Sequence, residues 1–222
     1  MTQKPPSDSS GPPDPATPPG HDHPFARPDP DLDIVRLAQA AATRRMAMGI
    51  LYERFRGRVY NTSLRIVGDR EDAADVLQEV FILLFRKIHR FKARAQFASW
   101  VYRISVNVSL DQLRRRKRAP RVGAPAALLD GLPERTPLTT PERHASQRDL
   151  EGHVQEALLA LSDRLRIVIV LRYLESLAYA DIAEILDCSL GTVKSRLNRA
   201  HTAMRRELTA RYEPDSSKGM GA

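Results

Sequence analysis

A chain of 222 residues with 42% hydrophobic residues is long enough for one large core or two small ones, and at 6% aromatics those cores are mostly aliphatic. A formal charge of +8, from 35 Lys and Arg against 27 Asp and Glu, points to a polyanionic partner, either nucleic acid or an acidic membrane surface. The single cysteine, Cys188, excludes an internal disulfide and a multi-cysteine metal site and fits a reducing cytoplasm.

No apolar segment follows Lys4 as it would in a secretory leader, and the apolar runs Val80–Phe85 and Ile167–Leu171 are too short to cross a bilayer, so membrane insertion is not expected. Ten of the 16 prolines fall within the first thirty residues. Such a segment buries too little apolar surface to offset its ordering entropy, so residues 1–29 are expected to be a disordered tail. His21 and His23 within it have no Cys or further His nearby to complete a metal site.

Helical patterns follow. Asp31 and Asp33 can cap a helix that starts near Asp33 and carries Ile34, Val35 and Leu37. A second run, Met46–Ile66, places Ile50, Leu51, Phe55, Val59, Leu64 and Ile66 at helical spacing, and Gly68-Asp69 stops it. Glu71–His89 is strongly amphipathic, with Leu77, Val80, Phe81, Leu84 and Ile88 on one face. Its other surface mixes Asp72, Asp75 and Glu79 with Gln78, Ile82 and Phe85. Two readings stand: broad burial in a small bundle, or a docking surface for another protein.

A third long helix, Gln96–Arg118, has Phe97, Val101, Ile104 and Val108 as its core stripe, while Ser99, Trp100, Arg103, Asn107, Asp111 and Arg114 share another face. It ends in Arg114-Arg115-Arg116-Lys117-Arg118. Cations favour a helix C-terminus through the macrodipole, but five in succession repel one another, and phosphates would offset that repulsion. Residues 119–148 hold Pro120, Pro125, Pro133, Pro137 and Pro141 without a sustained period and are expected to be a flexible linker.

Beyond it, Leu150, Val154, Leu158 and Leu161 mark a helix, and Ser162 can cap another over Asp163–Tyr173. A helix from Tyr179 to Leu186, a turn at Asp187-Cys188-Ser189 and a long helix from Leu190 then form a helix-turn-helix. Ala183 is small enough for a close helix crossing, Asp187 tolerates a left-handed backbone, and Ser189 is a good N-cap. Val193 and Leu197 point inward, which leaves Gly191, Thr192, Lys194, Ser195, Arg196, Asn198 and Arg199 outward. Those residue types reach base edges and phosphates from a major groove, although a solvated basic face would also carry them. Cys188 has no nearby His to activate it and reads as a small buried hydrophobe.

The expected fold class is therefore all-α: two small helical bundle domains, 30–118 and 149–211, joined by a flexible linker, the C-terminal one containing the helix-turn-helix and a disordered 212–222 following it.

The segment Leu177–Ala200, LAYADIAEILDCSLGTVKSRLNRA, resembles the C-terminal promoter-reading domain of bacterial RNA polymerase sigma factors. Gly68–Phe81, GDREDAADVLQEVF, and Phe97–Asn107, FASWVYRISVN, resemble the other shared sigma domain. With only these two domains, over roughly 32–118 and 149–208, the chain is similar to the extracytoplasmic-function (ECF) group.

The resemblance implies core RNA polymerase, promoter DNA and an anti-sigma factor as partners, a cytoplasmic location, and no cofactor, metal or enzymatic activity. It implies that Asp72, Asp75, Gln78, Glu79 and Ile82 dock on the polymerase clamp helices. Lys92, Arg94, Gln96, Ser99, Trp100, Arg103, Asn107, Asp111, Arg114 and Arg115 would read and help open the downstream promoter element. Ser189, Gly191, Thr192, Lys194, Ser195, Arg196 and Arg199 would read the upstream element as duplex.

The chain departs from the family pattern in places. Ala178 stands where a Ser or Thr cap is common, an absence costing about 1 kcal/mol. Asp187 replaces a usual Gly, and Asp111 brings a carboxylate among promoter-facing residues, where it can accept from a cytosine amino group or pair with Arg114 or Arg115. The alternative is a stand-alone helix-turn-helix regulator, which leaves the first half unexplained. No glycine-rich phosphate loop, metal cluster or nucleophile elbow supports an enzyme.

Overall fold

The computed structural model describes residues 29–93, 96–118 and 141–212, so the tails and most of the expected linker lie outside the described residues. Four helices make the first bundle: α1 (Leu32–Gln39), α2 (Arg44–Val67), α3 (Arg70–Lys87) and α4 (Phe97–Arg118), with a 3₁₀ turn at Ile88–Arg90. The second holds α5 (Pro141–Ala160), α6 (Asp163–Ile169), a π turn at Val170–Leu174, α7 (Tyr179–Ile185) and α8 (Leu190–Tyr212). The described residues contain no strand.

α2 is the central strut of the first bundle, packed by α1, α3 and α4. Its four-residue spacing explains this: Ala47, Leu51, Phe55 and Val59 are all essentially buried. It ends where Gly68 takes a left-handed φ of 76° and its N–H closes on the Leu64 carbonyl at 2.8 Å. Asp69 then caps α3, accepting from the Asp72 N–H at 3.0 Å, with Glu71 and Asp72 in the first turn and Arg86 and Lys87 in the last.

Several expectations are corrected. The buried stripe of α3 is Ala73, Val76, Val80 and Leu84, with Leu77 and Phe81 only half-buried at its edge. Neither Asp31 nor Ser162 caps through its side chain; the buried Asp31 carboxylate instead receives Arg54. α5 already runs from Pro141, inside the stretch expected to be linker, because Pro followed by Glu suits a helix's first turn. The helix expected over Asp163–Tyr173 stops at Ile169 and widens into the π turn. Arg166 through Arg172 are buried without interruption, which a one-sided amphipathic helix does not permit. The cause is placement, since this segment packs against both α8 and α2.

The two bundles thus touch. Arg65 donates to Gln155 at 2.9 Å, and Lys117 pairs with Asp163 at 2.8 Å. The tightest joint is Arg166, whose guanidinium donates to the carbonyls of Leu158 (2.9 Å), Leu159 (2.8 Å) and Leu161 (3.0 Å) at the end of α5 and of Ile66 at the end of α2. Carbonyls at helix ends lack intrahelical partners, so one cation satisfies acceptors from two bundles. Burial pushes the Arg166 pKa down, with Asp163 opposing that shift.

Candidate nucleic-acid interface

The helix-turn-helix closes as its residues dictate. Asp187 adopts φ 49°, the Cys188 N–H donates to the Ala183 carbonyl at 3.0 Å, and Ser189 Oγ accepts from the Thr192 N–H at 3.1 Å. Ala178 supplies no capping oxygen, but Asp181 Oδ2 accepts from the Ala178 N–H at 3.3 Å, so the reciprocal half of the cap survives. Val193, Leu197 and Ala200 anchor α8 to the core. The remaining face presents Gly191, Lys194, Ser195, Asn198 and Arg199 fully outward, with Thr192 and Arg196 half-buried beside them. Arg196 leans back, its Nη1 lying 3.8 Å from the Cys188 Sγ. Cys188 itself is half-buried against the core rather than enclosed by it.

The downstream candidates lie along α4 and the turn before it. Asn107, Asp111 and Arg114 form an exposed ribbon, and Asp111 pairs with Arg114 at 2.6 Å. Lys92 is exposed, Gln96 half-buried, and Arg94 lies outside the described residues. Ser99, expected outward, is buried at 7% exposure. Trp100 is half-buried, its ring centroid 5.3 Å from Phe91 and 5.8 Å from Phe97. Arg103 reaches the second bundle, donating to the Glu184 and Ile185 carbonyls at the end of α7. A small cleft remains there, between Lys92, Trp100 and Arg103 on one side and Glu184 and Ile185 on the other.

The basic run is paired more fully than the macrodipole requires. Arg115 binds Glu79 at 2.7 Å, Arg116 binds Asp72 at 3.3 Å, and Gln112 donates to Asp72 at 2.6 Å. The hydrogen bond and charge of Glu79 raise the Arg115 pKa. Two acids of the α3 stripe therefore face α4, whereas Asp75 and Gln78 stay exposed. Ile82 and Phe85 are about half exposed, at 50% and 47%, and line a shallow apolar groove with Gln78, Phe81 and Arg86. Tyr52 braces that groove from α2, its ring 4.8 Å from Phe81 and edge-on.

One cluster escaped the sequence reading. Glu175, just after the π turn, accepts from Thr62 Oγ1 at 2.5 Å and from the Tyr102 hydroxyl, joining the second bundle to α2 and α4. Burial, reinforced by the Glu175 carboxylate, pushes the Tyr102 pKa well up. No periodicity marks a lone Glu in a turn; the only available signals were a Tyr and a Thr at buried helical positions.

Among the described residues no helix is long and apolar enough to cross a membrane, and no group of His, Cys, Asp and Glu is arranged to hold a metal ion.

The chain thus carries three separate surfaces: an exposed apolar groove on α3, a basic run at the end of α4 and the outward face of α8. Residues 51–119 match the family described as Sigma-70 region 2, and residues 152–204 match Sigma-70, region 4. The ECF RNA polymerase sigma factor SigW of Bacillus subtilis is 30% identical over 177 residues, covering 78% of this chain and 95% of that protein. The sigma-E factor of Haemophilus influenzae is 37% identical over 158 residues, 69% of this chain and 83% of its own. Among solved structures, the sigma factor RpoE of Bartonella quintana, in complex with the anti-sigma factor NepR, shares the fold with a TM-score of 0.58 at 20% identity, covering 72% of this chain and 96% of its own. The chain belongs to the ECF sigma factors.

Proposed function

We propose that this sigma factor docks on core RNA polymerase through the α3 groove around Gln78 and Ile82, with Asp75 and, once released from α4, Asp72 and Glu79. It reads the downstream promoter element with Lys92, Trp100, Arg103, Asn107, Arg114 and Arg115, and the upstream duplex with the outward face of α8. Arg94, Gln96, Ser99 and Asp111 complete the downstream set as expected from sequence; for Ser99 that role requires a change of exposure. The chain acts in the cytoplasm by binding rather than catalysis. An anti-sigma factor is its negative partner, as NepR is for the Bartonella quintana protein.

The observation that carries this reading is the coexistence on one chain of an exposed apolar groove, with Asp75 exposed on the same helix, and two separate surfaces rich in basic residues. A stand-alone regulator has no use for the groove. Purified chain mixed with core RNA polymerase and its own upstream DNA should direct promoter-specific RNA synthesis. Tight binding to a palindrome without polymerase, together with no transcript in its presence, would refute the proposal.

A further inference from the structure

The turn at Asp29 and helix α1 precede the matched region 2 segment, which starts at residue 51, and the roles above leave them idle. Two of their side chains nevertheless reach the entry to α4. Gln39 Nε2 donates to the carbonyls of Ile88 (3.1 Å) and Phe91 (2.9 Å). Asp29 Oδ2 accepts from the Phe97 N–H at 2.7 Å, while Oδ1 accepts from the Asp31 N–H at 2.9 Å. Ile88 opens the incoming 3₁₀ turn, Phe91 directly follows its end, and Phe97 is the first residue of α4. The strap therefore grips the backbone on both sides of residues 92–96, where the proposed downstream-reading surface begins.

What it grips is an aromatic cluster. Phe91 and Phe97 meet edge to face at 5.4 Å and 87°, Phe55 supports Phe97 at 5.5 Å, and Trp100 rests against both Phe91 and Phe97. The Phe97 N–H is one of the donors that a helix start leaves without an intrahelical acceptor, and a carboxylate from outside the helix satisfies it. The strap is itself fixed: Val35 and Ala38 are fully buried, and the buried Asp31 carboxylate holds Arg54. Phe91 and Phe97 are buried, so the half-buried Trp100 is the ring of this cluster that can meet a base, and it contributes to base binding only while the rings beneath it are held in place.

We infer that Asp29–Gln39 is a brace that positions the Phe91–Phe97–Trp100 cluster for the downstream element, with Asp29 and Gln39 as positioning residues. This rests on the downstream reading proposed above and adds to it the part of the chain that keeps the platform rigid.

Trp100 is the sole tryptophan, so time-resolved fluorescence anisotropy of the full chain reports on it directly. The double variant Asp29→Ala, Gln39→Ala should add a fast local motion at Trp100 while circular dichroism keeps its helical signal. Met48→Ala, a core truncation in α2 that cuts neither tie, should not. In holoenzyme, duplexes with a pre-opened, randomised downstream element measure base preference. The double variant, which removes three hydrogen bonds to the entry of α4, should keep its affinity for core polymerase and lose about tenfold in preference. Asp29→Asn, which retains an acceptor oxygen, should lose less than Asp29→Ala, and these single variants keep the test open if the double variant does not fold. A wild-type holoenzyme that enriches no sequence would remove the downstream reading itself. Unchanged Trp100 motion with unchanged enrichment in the double variant would overturn the brace alone, as would an equal loss in Met48→Ala.

Discussion

On α8 most side chains expected to meet DNA point away from the rest of the protein, Thr192 and Arg196 being half-buried, whereas on α4 several are already engaged with it. Lys194, Ser195, Asn198 and Arg199 are exposed, and Arg199 bonds within its own helix, to the Ser195 carbonyl at 3.3 Å. By contrast Arg103 is held by the end of α7, Arg115 and Arg116 by acids of α3, and Lys117 by α6. The upstream face can meet a duplex as it stands. In the proposed reading the downstream face exchanges intramolecular partners for phosphates and bases, so its affinity is a difference between two sets of contacts. The bundles that carry the two surfaces are joined in part by Arg166.

Arg166 is where the comparison breaks most completely. Arg166→Met keeps most of the volume but removes the guanidinium from four carbonyls, of which Leu158 keeps the Leu161 N–H as a donor. Removing one partner from such a buried charged network costs roughly 3 kcal/mol. The variant should show a Tm lower by several degrees and weakened binding through both DNA faces at once. A normal Tm with loss at only one face would show that the heads do not share this support.

Removing the outward cations sharpens the contrast instead. Lys194→Ala with Arg199→Ala should weaken upstream duplex binding by about 1–3 kcal/mol per lost contact and flatten its salt dependence. The chain's affinity for core polymerase should not change, because α8 and the α3 groove share no residues. Equal loss of both activities would contradict the separation of surfaces.

The α8 face was the more legible of the two in sequence for the same reason. Turn, cap and core residues lie within Ala183–Leu197, so short-range rules place Asp187, Ser189, Val193 and Leu197 correctly. The α4 face depends on partners far along the chain. Ser99 and Tyr102 are buried, and Arg103 is covered, because of the rest of the first bundle or of α7 and Glu175, and no local period reports that. The all-α class and the amphipathic helices were readable from spacing, but the unbroken burial of Arg166–Arg172 was not, since it arises only where two bundles meet. The α3 stripe lies between these cases. Its mixed surface was evident, yet which of its acids face outward is decided by α4.

Closure of the two bundles through Glu175 should respond to alkali. The Tyr102 phenol has its pKa raised above the ordinary value of 10.0 by burial and by the facing carboxylate. A group whose folded pKa is raised contributes fully below its unfolded value, and that contribution is lost as pH rises past 10.0 toward the folded value. Fluorescence energy transfer between dyes on the two bundles should therefore fall above that pH in the wild type. Tyr102→Phe, which lacks the hydroxyl, should already be about 1 kcal/mol less stable at neutral pH and show no such alkaline step from this group. An identical alkaline transition in both proteins would place its origin elsewhere.

The smallest expected effect tests the α3–α4 exchange directly. Glu79→Gln removes the carboxylate that holds Arg115 at 2.7 Å, in a pair whose side chains are 55% and 43% exposed. An ion pair this open is screened by solvent and contributes well under about 1 kcal/mol, so the fold should not register its loss. Its effect belongs to binding. Freed from Glu79, Arg115 should raise affinity for non-specific single-stranded DNA by about twofold at low salt, an advantage that disappears as screening increases. Affinity for core polymerase should move the other way, because the same carboxylate belongs to the proposed docking stripe. Opposite signs from one neutralised residue are the signature of a group shared between two interfaces; a change in only one affinity would mean that Glu79 serves α4 or the polymerase but does not couple them.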